Sequence, residues 1–237
     1  MSEQRRVMLK LSGEALAGEK KTGLSEEVIL EVAAQVKAAY DQGVEIAIVI
    51  GGGNFWRGRQ NQEFDRVKSD QIGMLATVMN CLCVSELFRT AGMKTAVYGA
   101  FEIPGILPVF EKDKVMHDLH EEHKVVFFAG GTGHPYFSTD TGIALRAIEI
   151  GAQSILLAKN VDGIYDSDPA KNPDAVKFTE ISMAEVIERR LQVIDQTAAV
   201  LCLENKMPLA VFSLKKEGAI TDALNGKITD GSIVTVE

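Results

Sequence analysis

Three short glycine-bearing segments hold the residues best suited to chemistry: Lys10-Leu11-Ser12-Gly13-Glu14, Gly51-Gly52-Gly53-Asn54 and Gly130-Gly131-Thr132-Gly133. Glycine lacks the Cβ that keeps backbone N–H groups away from an anion, so such loops suit phosphate. One loop of this kind is a weak signal, because glycine also serves ordinary tight turns. Three at one end of one sheet form a stronger one. Lys10 ends an apolar run and enters a Ser-Gly turn. It is either a solvent-facing lysine at a strand end or a cation facing transferred phosphate, and the company of the other loops favours the second. Arg57 follows the second loop beside Trp56. A surface arginine is the bland alternative, yet guanidinium is suited to holding several phosphate oxygens at once.

Three carboxylates and one further loop complete the inventory. Asp70, Asp140 and Asp195 each precede or open a helical stretch, and each reads most simply as an N-cap. A carboxylate at Asp70 could equally accept from sugar hydroxyls. The run Thr132-Gly133-His134-Pro135-Tyr136-Phe137-Ser138-Thr139 offers hydroxyls and free amides to a phosphate or to the edge of a base. A lone His134 in such a loop is more often a hydrogen-bonding residue than an acid or a metal ligand. The familiar nucleotide motifs are absent: Glu19 stands where a P-loop needs lysine, and no glycine loop completes a dinucleotide fingerprint.

These loops need a scaffold that brings them together. Short apolar runs at Val7–Leu11, Val44–Ile50, Lys94–Tyr98, Val125–Ala129, Ser154–Leu157, Leu209–Ser213 and Ile233–Val236 read as strands. Helical stretches alternate with them: one after Ser25 closed by Gly43, then Asp70–Thr90, Asp113–Glu122, Thr141–Ile150, Ala184–Leu191, Thr197–Asn205 and Ala219–Asn225. This alternation predicts a mainly parallel sheet between helical layers, with ligands at the carboxyl ends of the strands. No Pro/Ser-rich linker divides the 237 residues, and Asp166–Ala175 reads as a surface loop, so residues 1–237 are expected to form a single domain.

Bulk properties narrow the function classes. A hydrophobic share of 46 % with 24 % charged residues predicts a buried core rather than disorder. The net charge of -8 argues against nucleic acid as the main partner, so any phosphate site must be positive locally. Cys81, Cys83 and Cys202 are too few and too odd for a disulfide framework, and Cys81 and Cys83 read as small core residues on a helix. Without a signal-peptide core or an uninterrupted apolar run of spanning length, a cytoplasmic location and no membrane partner are expected.

The sequence resembles the bacterial uridylate (UMP) kinases of the amino acid kinase superfamily along essentially its whole length. The resemblance is carried by Lys10–Leu16, by Gly51–Asn54 with Arg57-Gly58, by Gly73-Met74-Leu75-Ala76-Thr77-Val78-Met79-Asn80, by Thr132–Asp140, and by Val161–Tyr165 with Asp168-Pro169. It implies a three-layer αβα sandwich with a mainly parallel central sheet. It implies transfer of a phosphoryl group from ATP, with Mg²⁺, to UMP. By the same resemblance Lys10, Leu11, Ser12, Gly13 and Gly53 contact the ATP phosphates, and Arg57 lies between donor and acceptor. Gly52, Asp70 (on the ribose) and Thr132, Gly133, His134, Pro135, Tyr136, Phe137, Ser138 and Thr139 hold UMP; His134 stands where relatives usually have asparagine. Tyr165 and Asp168, with Lys159 or Asn160, bind adenosine. Lys10, Arg57, Asp140 and Asp195 form the catalytic set, the two aspartates positioning the lysine or the metal ion. A homohexamer, activation by GTP and inhibition by UTP complete what the resemblance implies. The open alternatives are an amino acid or carbamate as acceptor, or a protein that holds nucleotide without transfer.

Overall fold

The computed structural model describes residues 5–20, 22–57 and 63–236. Gly58, named above beside Arg57, lies outside the described residues. In chain order the first elements are β1 (Arg6–Leu11), α1 (Gly13–Leu16), a 3-10 turn at Gly18–Lys20, α2 (Glu26–Tyr40), β2 (Glu45–Ile50) and α3 (Arg66–Thr90). Next come β3 (Thr95–Gly99), α4 (Lys112–His120), β4 (Val125–Ala129), α5 (Thr139–Glu149), β5 (Ser154–Lys159), β6 (Ile164–Tyr165), β7 (Lys177–Phe178) and β8 (Glu180–Ser182). The last are α6 (Met183–Glu188), α7 (Gln196–Glu204), β9 (Leu209–Ser213), α8 (Ala219–Leu224) and β10 (Gly231–Thr235).

Eight strands form one sheet in the order β3-β4-β2-β1-β5-β9-β10-β8, while β6 and β7 pair as a separate hairpin. Every pair in the large sheet is parallel except β9 with β10. Parallel strands covered on both faces read as unbroken apolar runs, and all six residues of β2 are buried. The two faces carry different residues because side chains alternate along a strand. Leu9, Ile48 and Phe127 pack towards α2, α3 and α8; Met8, Val49 and Phe128 pack towards α4, α5 and α7. The result is the three-layer αβα sandwich. On the first face Phe127 meets Phe88 edge-on at 5.4 Å and 78°, an arrangement worth about 0.5–1.5 kcal/mol beyond burial.

Register brings the site into being. Leu11 lies opposite Ile50 on one side and Ala158 on the other, and Val49 lies opposite Phe128. The central strands β4, β2, β1 and β5 therefore end nearly level, and the loops after them emerge side by side. Strand placement also reverses at β1, with β2, β3 and β4 to one side and β5, β9 and β10 to the other. Such reversal points are where open α/β sheets bind ligands.

Several boundaries differ from expectation for identifiable reasons. Helix α3 begins at Arg66 and is capped by Asp65, whose side chain accepts from the Lys68 N–H at 3.0 Å, so Asp70 lies inside the helix and is not its cap. Ser138, accepting from the Asp140 N–H, caps α5, and Asp140 sits in its first turn. Asp195 does cap α7, accepting from the Ala198 N–H. Cys81 is buried, but Cys83, two residues on along α3, faces outward. The Asp166–Ala175 loop is the tip of the β6–β7 hairpin, whose two-residue strands are too short to show a period in sequence. Helix α3 is long and apolar enough to cross a membrane by length and composition alone, and 44 % of its most apolar window is buried inside the protein.

At the opposite end of the sheet, the side chain of Glu45 is fully buried between two cations: Arg6 Nε donates to it at 2.6 Å, and His120 Nδ1 lies 2.6 Å away. The hydrogen bond to Glu45, and then its charge, raise the His120 pKa above the ordinary value of about 6.5. A raised folded-state pKa contributes stability that is fully present below the unfolded value and is lost as pH rises through the folded one. His120→Ala is therefore expected to lower the melting temperature most below about pH 6.5, with the gap to the parent narrowing at alkaline pH. Melting curves from pH 5.5 to 9 test this, and a pH-independent gap would remove the charged His120–Glu45 pair from the account.

Candidate active site

The first loop places Lys10 on the face of β1 that packs against α5. There its ammonium donates to Asp140 Oδ1, 130 residues away in sequence, with both side chains 18 % exposed. Ser12 caps α1 without using its hydroxyl in a cap bond. Gly13 packs so tightly that an added Cβ would stand 2.2 Å from the Gly51 carbonyl oxygen and 2.5 Å from Asn54 Oδ1. First and second loops thus touch through backbone, which no side chain would permit.

The second loop is pinned from below by α3. Asn54 and Asn80, 2 % and 0 % exposed, pair through their amides at 3.0 and 2.7 Å; Asn54 Nδ2 also donates to the Gly23 carbonyl and Asn80 Nδ2 to that of Gly51. All four amide hydrogens are used, as burial of such groups requires. Trp56 Nε1 donates to Ser69 Oγ at 3.0 Å. Arg57 reaches back over the first loop to Glu14 at 2.5 Å, and the Glu14 carboxylate covers the position where Gly53 would carry a Cβ.

The third loop hangs from the same helix. Thr77 Oγ1 donates to the Met74 carbonyl and accepts from the Gly130 N–H at 2.8 Å. Gly130, Gly131 and Gly133 have φ values of 80°, 59° and 78°, left-handed backbone that glycine adopts without strain. His134 turns its Nδ1 to the Thr132 carbonyl of its own loop at 3.1 Å. Tyr136, with φ 71°, gives its N–H to Asp70 Oδ2 at 2.8 Å, and Arg66 bonds the same oxygen while lying over the Tyr136 ring. Asp195 accepts from Ser138 Oγ and Thr141 Oγ1, so this carboxylate ties α7 to the start of α5.

Part of this set lines three clefts in a row. Gly52, Trp56, Asp70, Thr132, His134, Phe137 and Thr139 line one of about 200 Å³. Lys10, Ser12, Gly13, Gly53, Lys159 and Asn160 line the next, of about 370 Å³. Tyr165, Asp168, Pro169, Arg189 and Val193 line the third, of about 500 Å³. Gly52, Gly53 and Thr139 belong to both the first and the second, and Lys159 and Val161 to both the second and the third. Of the residues expected at the site, Leu11, Arg57, Gly133, Pro135, Tyr136, Asp140 and Asp195 line none of the three.

In the third cleft the Tyr165 hydroxyl donates to Asp162 at 2.7 Å, which raises the phenol pKa and, together with Lys177, lowers that of Asp162. The Ala170 N–H, then Lys171, hold Asp168 low. Burial, reinforced by the charge of Lys10 and opposed by that of Asp140, lowers the Lys159 pKa.

Sequence reasoning gave no individual role to the residues that set these loops: Asn54, Asn80, Thr77 and Glu14, which lie in the segments named above, and Arg66, which does not. Asn80 carried a readable signal, as an amide in the otherwise apolar stripe of Ala76, Cys81 and Val84. Among the described residues no group of three His, Cys, Asp or Glu side chains could hold a metal ion. Asp140, Glu14 and Asp195 are each engaged by the protein's own donors.

Residues 5–213 match the profile of the amino acid kinase family. The chain is 48 % identical over 226 residues to the uridylate kinase of Pediococcus pentosaceus, covering 94 % of this chain and 93 % of that one. The UMP kinase structure from Bacillus anthracis superposes with a TM-score of 0.93 at 31 % identity, covering 98 % of this chain and 96 % of that one. The one from Ureaplasma parvum gives 0.91 at 34 % identity, with 98 % and 99 % covered. With its sheet, its three glycine loops and these similarities in agreement, the chain belongs to the amino acid kinase family, in its uridylate kinase branch.

Proposed function

We propose that this protein moves the terminal phosphoryl group of ATP to UMP, giving UDP and ADP, a step of pyrimidine nucleotide biosynthesis. The observation that carries the reading is the row of three connected clefts, with Lys10 and the first two glycine loops at the middle one and the third glycine loop at the first. The first cleft takes UMP: Asp70 accepts from the ribose, and Gly52 with Thr132–Thr139 surrounds phosphate and base. The third takes adenosine, between Tyr165 and Asp168. The middle one holds the phosphates, with Lys10, Leu11, Ser12, Gly13 and Gly53 at the donor and Arg57 between donor and acceptor. The whole chain works as one unit around the eight-stranded sheet.

The chemistry asks little covalent help from the protein. A phosphate monoester has its second ionisation near pH 6, so the acceptor oxygen is already anionic at neutral pH and no general base is needed. The task is to align two polyanions and neutralise the charge spread over the group in flight. Asp140 orients the Lys10 ammonium, and the eleven-residue helix α5 begins at Thr139, on the wall that the acceptor and phosphate clefts share, where its dipole favours anions. Asp195 fixes that helix start through Ser138 and Thr141 and so acts as a positioning residue. Mg²⁺ carried in by ATP would supply further neutralisation of the phosphate charge and would need few protein ligands of its own. This fits a cleft whose carboxylates are already engaged.

A coupled assay of ADP release with UMP, CMP, acetylglutamate and aspartate tests the reading; turnover with UMP is expected to dominate, and dominance of another acceptor would overturn it. In that assay Arg57→Ala is expected to lower kcat about 10²–10³-fold with the melting temperature nearly unchanged, because the side chain is half exposed and its task is charge. Turnover like the parent's would remove Arg57 from the mechanism. The reading includes a cytoplasmic homohexamer that GTP activates and UTP inhibits. Ile72, Leu75 and Met79 leave a half-exposed apolar stripe on α3 that supports self-association.

A further inference from the structure

Lys159 ends β5 at the boundary of two clefts, lining both the phosphate cleft and the adenosine cleft. Side-chain alternation puts it on the same face of the sheet as Leu157, the face Lys10 occupies on the neighbouring strand. The two lysines differ in their partners. Lys10 is paired with Asp140, whereas Lys159 donates to an uncharged group, the Val193 backbone carbonyl. Among the described residues no carboxylate lies within ion-pair distance of Lys159. A partly buried ammonium without an ion-pair partner is costly to keep.

We propose that the Lys159 ammonium is a further cation of the transfer site, beside Lys10 and Arg57, and that it leaves the Val193 carbonyl for the donor's polyphosphate when ATP binds. This rests on the reading of the middle cleft as the phosphate site, and it assigns the lysine to the phosphates rather than to adenosine. The lowered pKa of Lys159 agrees with the geometry: burial, with a smaller contribution from the charge of Lys10, disfavours the ammonium more than the charge of Asp140 favours it, and an entering polyanion would reverse that balance. In the reaction an acceptor oxygen of UMP bonds to the terminal phosphorus, the bond from that phosphorus to the bridging oxygen breaks, and ADP leaves carrying the electron pair. A cation on the donor side of Lys10 meets the charge that builds on ADP. The Val193 carbonyl belongs to the segment leading into Asp195, so the lysine's departure also frees the wall of the adenosine cleft.

The test compares Lys159→Met and Lys159→Arg with the parent. Calorimetric titration with AMP and with ATP reads the assignment without turnover: Lys159→Met is expected to bind ATP at least ~10-fold more weakly, and AMP within about two-fold of the parent. In steady state kcat/KM for ATP is expected to fall about 100-fold with KM for UMP nearly unchanged, and Lys159→Arg is expected to recover part of the loss. Equal loss of AMP and ATP binding would place the side chain at adenosine and overturn the proposal. So would a fall in melting temperature with ATP affinity kept, since that describes a lysine that only props Val193. Parent protein that binds ATP but releases no ADP with UMP would defeat the kinase reading alone, and the binding comparison would still decide the role of Lys159.

Discussion

Lys10→Met is expected to lower kcat about 10³-fold while leaving the affinity for UMP within a few-fold of the parent. The side chain is one of two lysines in the phosphate cleft, and Asp140 holds its ammonium in place. Removing one preorganised charge-stabilising group typically costs 10²–10³ in turnover, and a full positive charge beside the transferring group belongs at the upper end. The substitution also strands Asp140 without its ion-pair partner, which lowers stability separately from catalysis. A double variant with Asp140→Asn separates the two effects. Its melting temperature is expected to recover towards the parent's, because the stranded charge is gone, while its turnover stays low. Steady-state kinetics and melting curves on the three proteins check this. Turnover near the parent's in Lys10→Met, or recovery of turnover in the double variant, would mean that Lys10 serves only the ion pair.

Gly13→Ala is the second large effect, and it is a stability effect first. Gly13 lies in helical backbone, where alanine is ordinarily better than glycine by about 1 kcal/mol. Here packing outweighs propensity: the new methyl would stand 2.2 Å from the Gly51 carbonyl oxygen, a backbone atom that cannot swing aside. Overpacking of this kind costs typically 1–3 kcal/mol, or roughly 3–10 °C in a chain of this size. It also pushes the first two loops apart, and a displacement near 1 Å at a reacting centre costs about 10²-fold in rate. Gly53→Ala is the matched control. Its methyl would meet only the Glu14 carboxylate, the far end of a flexible side chain, so its melting temperature is expected to fall less. A Gly13→Ala protein as stable and as active as the Gly53→Ala protein would refute the close approach of the two loops.

Much of the scaffold was legible because burial imposes a period. Val125–Ala129 and Leu209–Ser213 appear with the expected bounds, since strands buried on both faces leave continuous apolar runs in the sequence. The start of α3 was misplaced by four residues because its first turn, Arg66–Ser69, is mostly polar and shows no apolar stripe. The β6–β7 hairpin, with two residues per strand, is below the length at which alternation can be recognised.

The chemistry divides in the same way. Residue types and their local spacing, three glycine loops with Lys10 and Arg57 among them, were enough to indicate phosphate, because backbone freedom and fixed charge are local properties. Which charges meet is a long-range property. Lys10 finds Asp140 across 130 residues, Asp195 reaches 57 residues back to Ser138, and Asp70 accepts from Tyr136 across 66, each through the packing of separate elements. The level ends of β4, β2, β1 and β5 bring the loops that carry those pairs side by side, and that register exists only once the sheet is formed.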